Sequence, residues 1–199
     1  MNNAENLDFD QNKLFSGGIN PANLMKKIVN GQCVEVFPHS RLRVNTVFEV
    51  VHEAGFATAY ADKHPAYDLV RGPSGTGLTE GYFPEINSLA TNLIPSAPAG
   101  DDFTANVDFA IAWDTLHVNA WLDWLDGVTP DNAEGSLNGV IPTLFGGNFQ
   151  SVSVGQKTAG YEPGTLAFTP DLVKALDFVD ASLGKIVDKL SQRVSLTTP

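Results

Sequence analysis

Cysteine is almost missing from this chain: Cys33 is the only one in 199 residues. A single thiol excludes an internal disulfide and a cysteine-built zinc cluster, and it leaves the redox compartment open. Uninterrupted hydrophobic runs long enough to span a bilayer are missing too. The opening residues, Met1-Asn2-Asn3-Ala4-Glu5, lack the basic start and apolar stretch of an export signal. Cations are scarce, with 12 Lys and Arg against 23 Asp and Glu for a net charge of −11. That balance argues against long nucleic acids and anionic membrane surfaces as partners. A small phosphorylated substrate remains compatible, because a site can be locally positive in an acidic protein. There is no internal repeat and no low-complexity tract. What remains, with 43% hydrophobic residues, fits one domain over residues 1–199 that is large enough for a core.

The run from Pro142 to Leu190 organises the reading. Phe149 to Val154 alternates apolar with polar residues in its second half, which predicts a partly buried strand. Gly155 to Gly164 holds three glycines and a proline and reads as a loop. Thr169-Pro170-Asp171 starts a helix: Thr169 caps, Pro170 loses no needed donor, and Asp171 suits the positive end of the dipole. Leu172, Leu176, Val179, Leu183, Ile186 and Leu190 then form one apolar seam. Strand, loop and long amphipathic helix make an α/β unit.

Residues 1–32 read as an irregular N-terminal segment with a short helical turn at Pro21 to Ile28, and Val34 with Val36 as a short strand. Thr46 and Glu49 form a capping box for a helix whose face carries Val47, Phe48, Val51 and Ala54, stopped by Gly55. Phe56 to Tyr60 reads as a strand. A second helix begins at Asp101-Asp102 and ends at Gly127, with Val107, Ile111, Val118, Leu122 and Leu125 as its seam and Trp113, Trp121 and Trp124 as bulky shoulders. This aromatic stripe and Met25 read as core, not as a cofactor box. In the last helix Asp180 is expected half-buried with a donor. Gly184 is expected to sit under another packed backbone, because glycine costs about 1 kcal/mol in a helix interior.

Asp62-Lys63-His64-Pro65-Ala66-Tyr67-Asp68 follows the strand at Phe56 to Tyr60. Loops at the carboxyl ends of strands in open α/β sheets are where ligands bind, so two carboxylates, an ammonium and an imidazole there mark a candidate site. The same loop also reads as a solvated turn with His64 held by Pro65. Gly72-Pro73-Ser74-Gly75-Thr76-Gly77 looks like a phosphate cradle but lacks the Lys-Ser/Thr ending and a following helix. Residues 78–101 read as a long connection, of the kind that covers sites. Asp114 and His117 share a face at a spacing metals use, although such a pair is more often two ordinary neighbours.

Thr46 to Tyr60, Trp121-Leu122-Asp123-Trp124-Leu125, and Ala175 to Gly184, in that order, resemble the alkaline phosphatase superfamily. Within it they are most similar to type I phosphodiesterase/nucleotide pyrophosphatase proteins. Arg43 to Thr46, Asp62 to Asp68 and Asn148 to Lys157 look like a microbial branch, and the resemblance runs from about residue 17. It implies an α/β/α sandwich with a mostly parallel sheet, and a hydrolase of phosphoric esters. It also implies two divalent metals, zinc above all, that polarise phosphoryl oxygens and activate a Ser or Thr. The family's opening segment, with an Asp ligand and the nucleophile, has no counterpart here, and its closing His ligands would fall past Pro199. The chain therefore resembles an incomplete, middle part of that catalytic domain, with the missing parts of its own domain as an expected partner.

Where the family carries Asp-x-x-Gly-His, this chain reads Lys157-Thr158-Ala159-Gly160-Tyr161. A protonated ammonium cannot bind zinc and tyrosine poorly replaces histidine, so no metal ligand is recognisable, whereas Lys157 can hold a phosphate by charge. The expected substrate-binding set is Asp62, Lys63, His64, Asp68 and Lys157, with the Asp62–Asp68 and Gln156–Tyr161 segments meeting at one rim of the sheet. The catalytic residues stay unknown. The alternative is a non-catalytic module of the same fold that binds a phosphorylated ligand.

Overall fold

The computed structural model describes residues 19–86 and 103–197. After a three-residue 3-10 turn at Pro21–Asn23, β1 (Met25–Val29) pairs antiparallel with β2 (Gln32–Val36). The hairpin overturns the irregular reading of residues 1–32 over its described part. Asn30 and Gly31, at φ 52° and 79°, make the two-residue turn, a sequence signal that goes with hairpins because both positions need φ above zero.

Helix α1 (Val47–Glu53) starts where the capping pattern predicts, with Thr46 Oγ1 accepting from the Glu49 N–H at 3.1 Å. Its buried residues are Phe48 and Glu49, whereas Val47 is exposed. The predicted face is thus turned, because Glu49 leaves the capping box to receive the Ser74 N–H at 2.8 Å. Strand β3 (Thr58–Ala61) follows two residues later than expected, and β4 (Glu80–Tyr82) lies inside the stretch read as a connection. Residues 87–102, which include the predicted helix start at Asp101-Asp102, fall outside the described part. Helix α2 (Val107–Leu125) is instead capped by Asn106, whose Oδ1 accepts from Asp108 and Phe109.

Strands β5 (Glu134–Gly135) and β6 (Leu144–Gly147) complete a sheet of order β5-β4-β3-β6. β3 runs parallel to both β4 and β6, and β5 is antiparallel to β4. The fold is α/β with a mostly parallel sheet, as the sequence predicts. Adjacent strand residues point to opposite faces, and β6 shows what covers each. A Cβ on Gly146 would meet Phe48 of α1, while one on Gly147 would lie 2.6 Å from the Trp121 ring of α2. Helices therefore cover both faces.

Phe149 to Val154 is not a strand. β6 ends at Gly147, and Ser151–Thr158 forms helix α3. Three apolar residues alternating with polar ones fit a short helix as well as a strand, and here Val154 is the helical core residue, beside Ala110 and Ala175. The aromatic stripe of α2 is core, as the sequence predicts: Trp113, Trp121 and Trp124 are all buried, whereas Met25, also expected in the core, is exposed on the β1–β2 hairpin.

Helix α4 (Pro170–Thr197) begins as predicted at Pro170. The Thr169 hydroxyl donates to the Gly160 carbonyl at 3.0 Å instead of capping. Its buried line is Leu172, Ala175 and Ser182, with Phe178 and Ile186 packed on the sheet-side core. Leu176, Leu183 and Leu190 of the predicted seam are exposed. The helix is rotated because α3 and α4 meet through small residues: a Cβ on Gly155 would stand 3.3 Å from the Leu172 Cα. Asp180 lies on the exposed side. Nothing lies within 4 Å of a Cβ built on Gly184, so no packed backbone accounts for that glycine.

Candidate functional site

β3 and β6 are parallel neighbours, so their carboxyl ends share one edge of the sheet. Asp62 and Lys63 leave β3 there, and Asn148 to Ser151 leave β6 and enter α3. One face of α2 closes the arrangement from behind with Trp113, Asp114 and His117.

Asp62 is fully buried and joins the two strands. Its carboxylate accepts from Asn148 Nδ2 at 2.7 and 2.9 Å, from the Lys63 N–H at 2.7 Å and from the Tyr60 hydroxyl at 3.0 Å. Burial raises its pKa to about 6, and these donors and the Lys63 charge only partly offset that. Burial first, and then the Asp62 charge, also pushes the Tyr60 phenol upward.

The Lys63 side chain is half-buried, and its ammonium donates to Gln150 Oε1 and lies 5.8 Å from the Tyr67 ring centroid. Among the described residues this cation is held by a neutral amide, not by a hydrogen-bonded carboxylate.

Asp114 is fully buried and takes the N–H groups at the start of α3, Gln150 at 2.9 Å and Ser151 at 2.8 Å. The positive end of a helix is a ready anion site, and here the protein's own carboxylate fills it. Burial raises the Asp114 pKa while the two N–H groups oppose that shift. His117, one turn further along α2, is fully buried, with the backbone of Asn148 and Asp62 against its ring. Its pKa is pushed down to about 3, by burial first and then by the Lys63 charge, while the backbone of Asn148 and Asp62 acts the other way. Trp113 Nε1 and Asn148 Oδ1 are buried without a partner. Buried polar atoms are normally satisfied, so these two mark out the α2–β6 seam.

The remaining predicted residues scatter. His64 Nδ1 is bonded to Glu85 Oε1 at 2.8 Å, and its ring stacks on Tyr67. Asp68 faces away from Lys63: it bonds His39 Nδ1 at 2.6 Å and Arg71 Nε at 3.0 Å. Lys157 is exposed in the last turn of α3, seven residues from Gln150, about 10 Å along the axis. The segment that meets Asp62 and Lys63 is thus Asn148 to Ser151, not Gln156 to Tyr161. The glycine-rich loop at Gly72–Gly77 does cradle a carboxylate, but it is Glu49. Ser74 N–H donates to Glu49 Oε1, and a Cβ at Gly72 or Gly77 would run into that side chain or its backbone.

A cavity of about 290 Å³ lies elsewhere, between the starts of α2 and α4, with Asp108 and Asp171 in its wall. Asn148 and Gln150 escaped the sequence reading because the strand was placed five residues too late. With β6 ending at Gly147, both fall at a strand's carboxyl end, where ligand groups are expected. Comparison with protein-family models, with curated proteins and with solved structures finds no match for this chain.

Proposed function

We propose that this chain is part of a phosphoric ester hydrolase of the phosphodiesterase/nucleotide pyrophosphatase kind, and that its own share of the chemistry is to hold the phosphoryl group. The observation that carries this reading is the Lys63 ammonium, at the carboxyl edge of two parallel strands and bonded to a neutral amide. A phosphoryl oxygen offers that cation a charged partner in place of a neutral one, and charge-assisted hydrogen bonds are roughly twice as strong as neutral ones. Asp62 and Asp114 feel the Lys63 charge through space, but the direct hydrogen-bond partner of the ammonium is the Gln150 amide, and that contact position is the one a phosphoryl oxygen would take.

Zinc or another divalent ion belongs to the resemblance, but the described residues do not fit a two-metal centre. Among them no three of His, Cys, Asp and Glu converge at metal distances. The carboxylate oxygens nearest the rim are committed to hydrogen-bond donors. No step is therefore assigned to a metal on this chain.

Calorimetry with p-nitrophenyl phosphate tests the reading. Binding is expected, weakened about tenfold or more in Lys63→Ala. No heat of binding, with or without added zinc or magnesium, would remove the proposal. The second reading, a binding module without turnover, is favoured by the start of α3 and the Gly72–Gly77 loop, two anion-receptive places already filled by Asp114 and Glu49. This chain alone, without a nucleophile segment, is expected to be inactive. Release of p-nitrophenol from bis(p-nitrophenyl) phosphate by a longer protein that contains it, stimulated by a divalent ion, therefore separates the two: turnover ends the binding-module reading.

A further inference from the structure

We infer that Gln150 is a positioning residue for anion binding: by holding the Lys63 ammonium with a neutral oxygen, it places that cation without a contact ion pair and leaves it exchangeable. The inference rests on the anion-holding reading above and adds the residue on which it depends. Gln150 is itself buried and fixed from behind, since its backbone N–H donates to both Asp114 oxygens at 2.9 Å. The same residue thus joins the α3 start to the Lys63 loop. The fully buried His117 lies next to this junction, with Lys63 close enough to depress its pKa.

The alternative side chain makes the logic plain. A Glu at 150 would keep the length and the acceptor but convert a neutral contact into an ion pair, and a compensated ammonium has little to gain from an incoming anion. A Met at 150 would remove the acceptor and leave the charge available. Gln is thus the choice that orders Lys63 without spending its charge.

Inorganic sulfate is a suitable probe because its charge stays constant over the working range. At pH 7.5, wild type is expected to bind sulfate, Gln150→Met to lose about threefold because Lys63 loses the acceptor that places it, and Gln150→Glu to lose about tenfold or more. Lys63→Gln should abolish binding. On acidification towards about pH 4.3, the ordinary range of a Glu carboxyl, the Gln150→Glu deficit relative to wild type should close as the introduced carboxyl becomes neutral. Asp62, Asp114, His117, Lys63 and the His64–Glu85 pair face this region in both proteins, so the ratio between variants isolates position 150. A merely structural role for Gln150 would not give a deficit that acid repairs. Binding equal to wild type in either Gln150→Met or Gln150→Glu at pH 7.5, or a loss in Gln150→Met as large as in Gln150→Glu, overturns the inference and leaves the anion reading standing. Absence of sulfate binding by the wild type overturns both.

Discussion

Asp62 and His117 are both buried at the carboxyl edge of β3, and their titrations act on stability in opposite directions. Folding raises the Asp62 pKa from 3.8 to about 6, so the folded state binds the extra proton between those values. Stability from this group is fully present below the lower value and is lost as pH rises through the upper one. Folding lowers the His117 pKa from 6.5 to about 3. In that window the unfolded state binds the extra proton, so stability falls as pH falls. Between about pH 4 and 6 the two slopes, each about 1.4 kcal/mol per pH unit at most, oppose one another.

Single variants should expose them. In Asp62→Asn the urea midpoint should drop more steeply on acidification than in wild type. In His117→Gln it should drop less steeply or rise. Parallel wild-type and variant curves over that range would show that neither shift exists. Asp62→Asn is tolerable at the bonding level because the buried, unpartnered Asn148 Oδ1 can turn towards an introduced amide.

At the scale of elements, carboxylates received by backbone N–H groups recur as the device that joins one segment to the next. Asp114 ties α2 to the start of α3, Glu49 ties α1 to the Gly72–Gly77 loop, and Glu80 of β4 takes the Leu137 N–H and the Trp124 indole. Removing Asp114 leaves two buried N–H groups without their acceptor. Asp114→Ala is therefore expected to cost about 2–3 kcal/mol in urea unfolding, above an ordinary exposed cap. A loss below 0.5 kcal/mol, the roughly neutral range of surface changes, would contradict the assignment.

Gly184 is the converse case, an element-scale weakness with no packing reason inside the described fold. It sits mid-helix with open space around its Cβ position. Gly184→Ala should stabilise by about 0.5–1 kcal/mol through helix propensity. Destabilisation in thermal unfolding would show that something does pack there.

Across the whole molecule, the outer side of α4 carries Val173, Leu176, Leu183, Val187 and Leu190, all exposed, and among the described residues β6 ends the sheet. An exposed apolar stripe and an open strand edge each favour association, while the charge of −11 opposes it. Leu183→Lys should lower concentration-dependent light scattering, most clearly in high salt where the net charge is screened. Its effect on the unfolding free energy should be within about 0.5 kcal/mol, because Leu183 is half-exposed already. Unchanged scattering would show that this stripe does not drive association.

The sequence alone determined what depends on neighbours along the chain. Thr46 capping α1, Pro170 opening α4, the glycine stop at Gly55 and the α/β class all rest on local donors, dihedral limits and periodicity. The turn at Asn30-Gly31 belongs with them, although its hairpin signal went unread. Tertiary structure decided which side of each helix is inside. Small residues at Gly155 and Ala175 let α3 and α4 approach, and that approach turns the leucines of α4 outward. It also decided the company of Lys63: β3 and β6 lie side by side only after a crossover of more than 80 residues. Gln150 and Asn148 reach the Asp62 edge through that pairing, and Lys157 does not. Periodicity reports that a residue is apolar, not which surface will meet it, and a sheet neighbour so distant in sequence leaves no local trace.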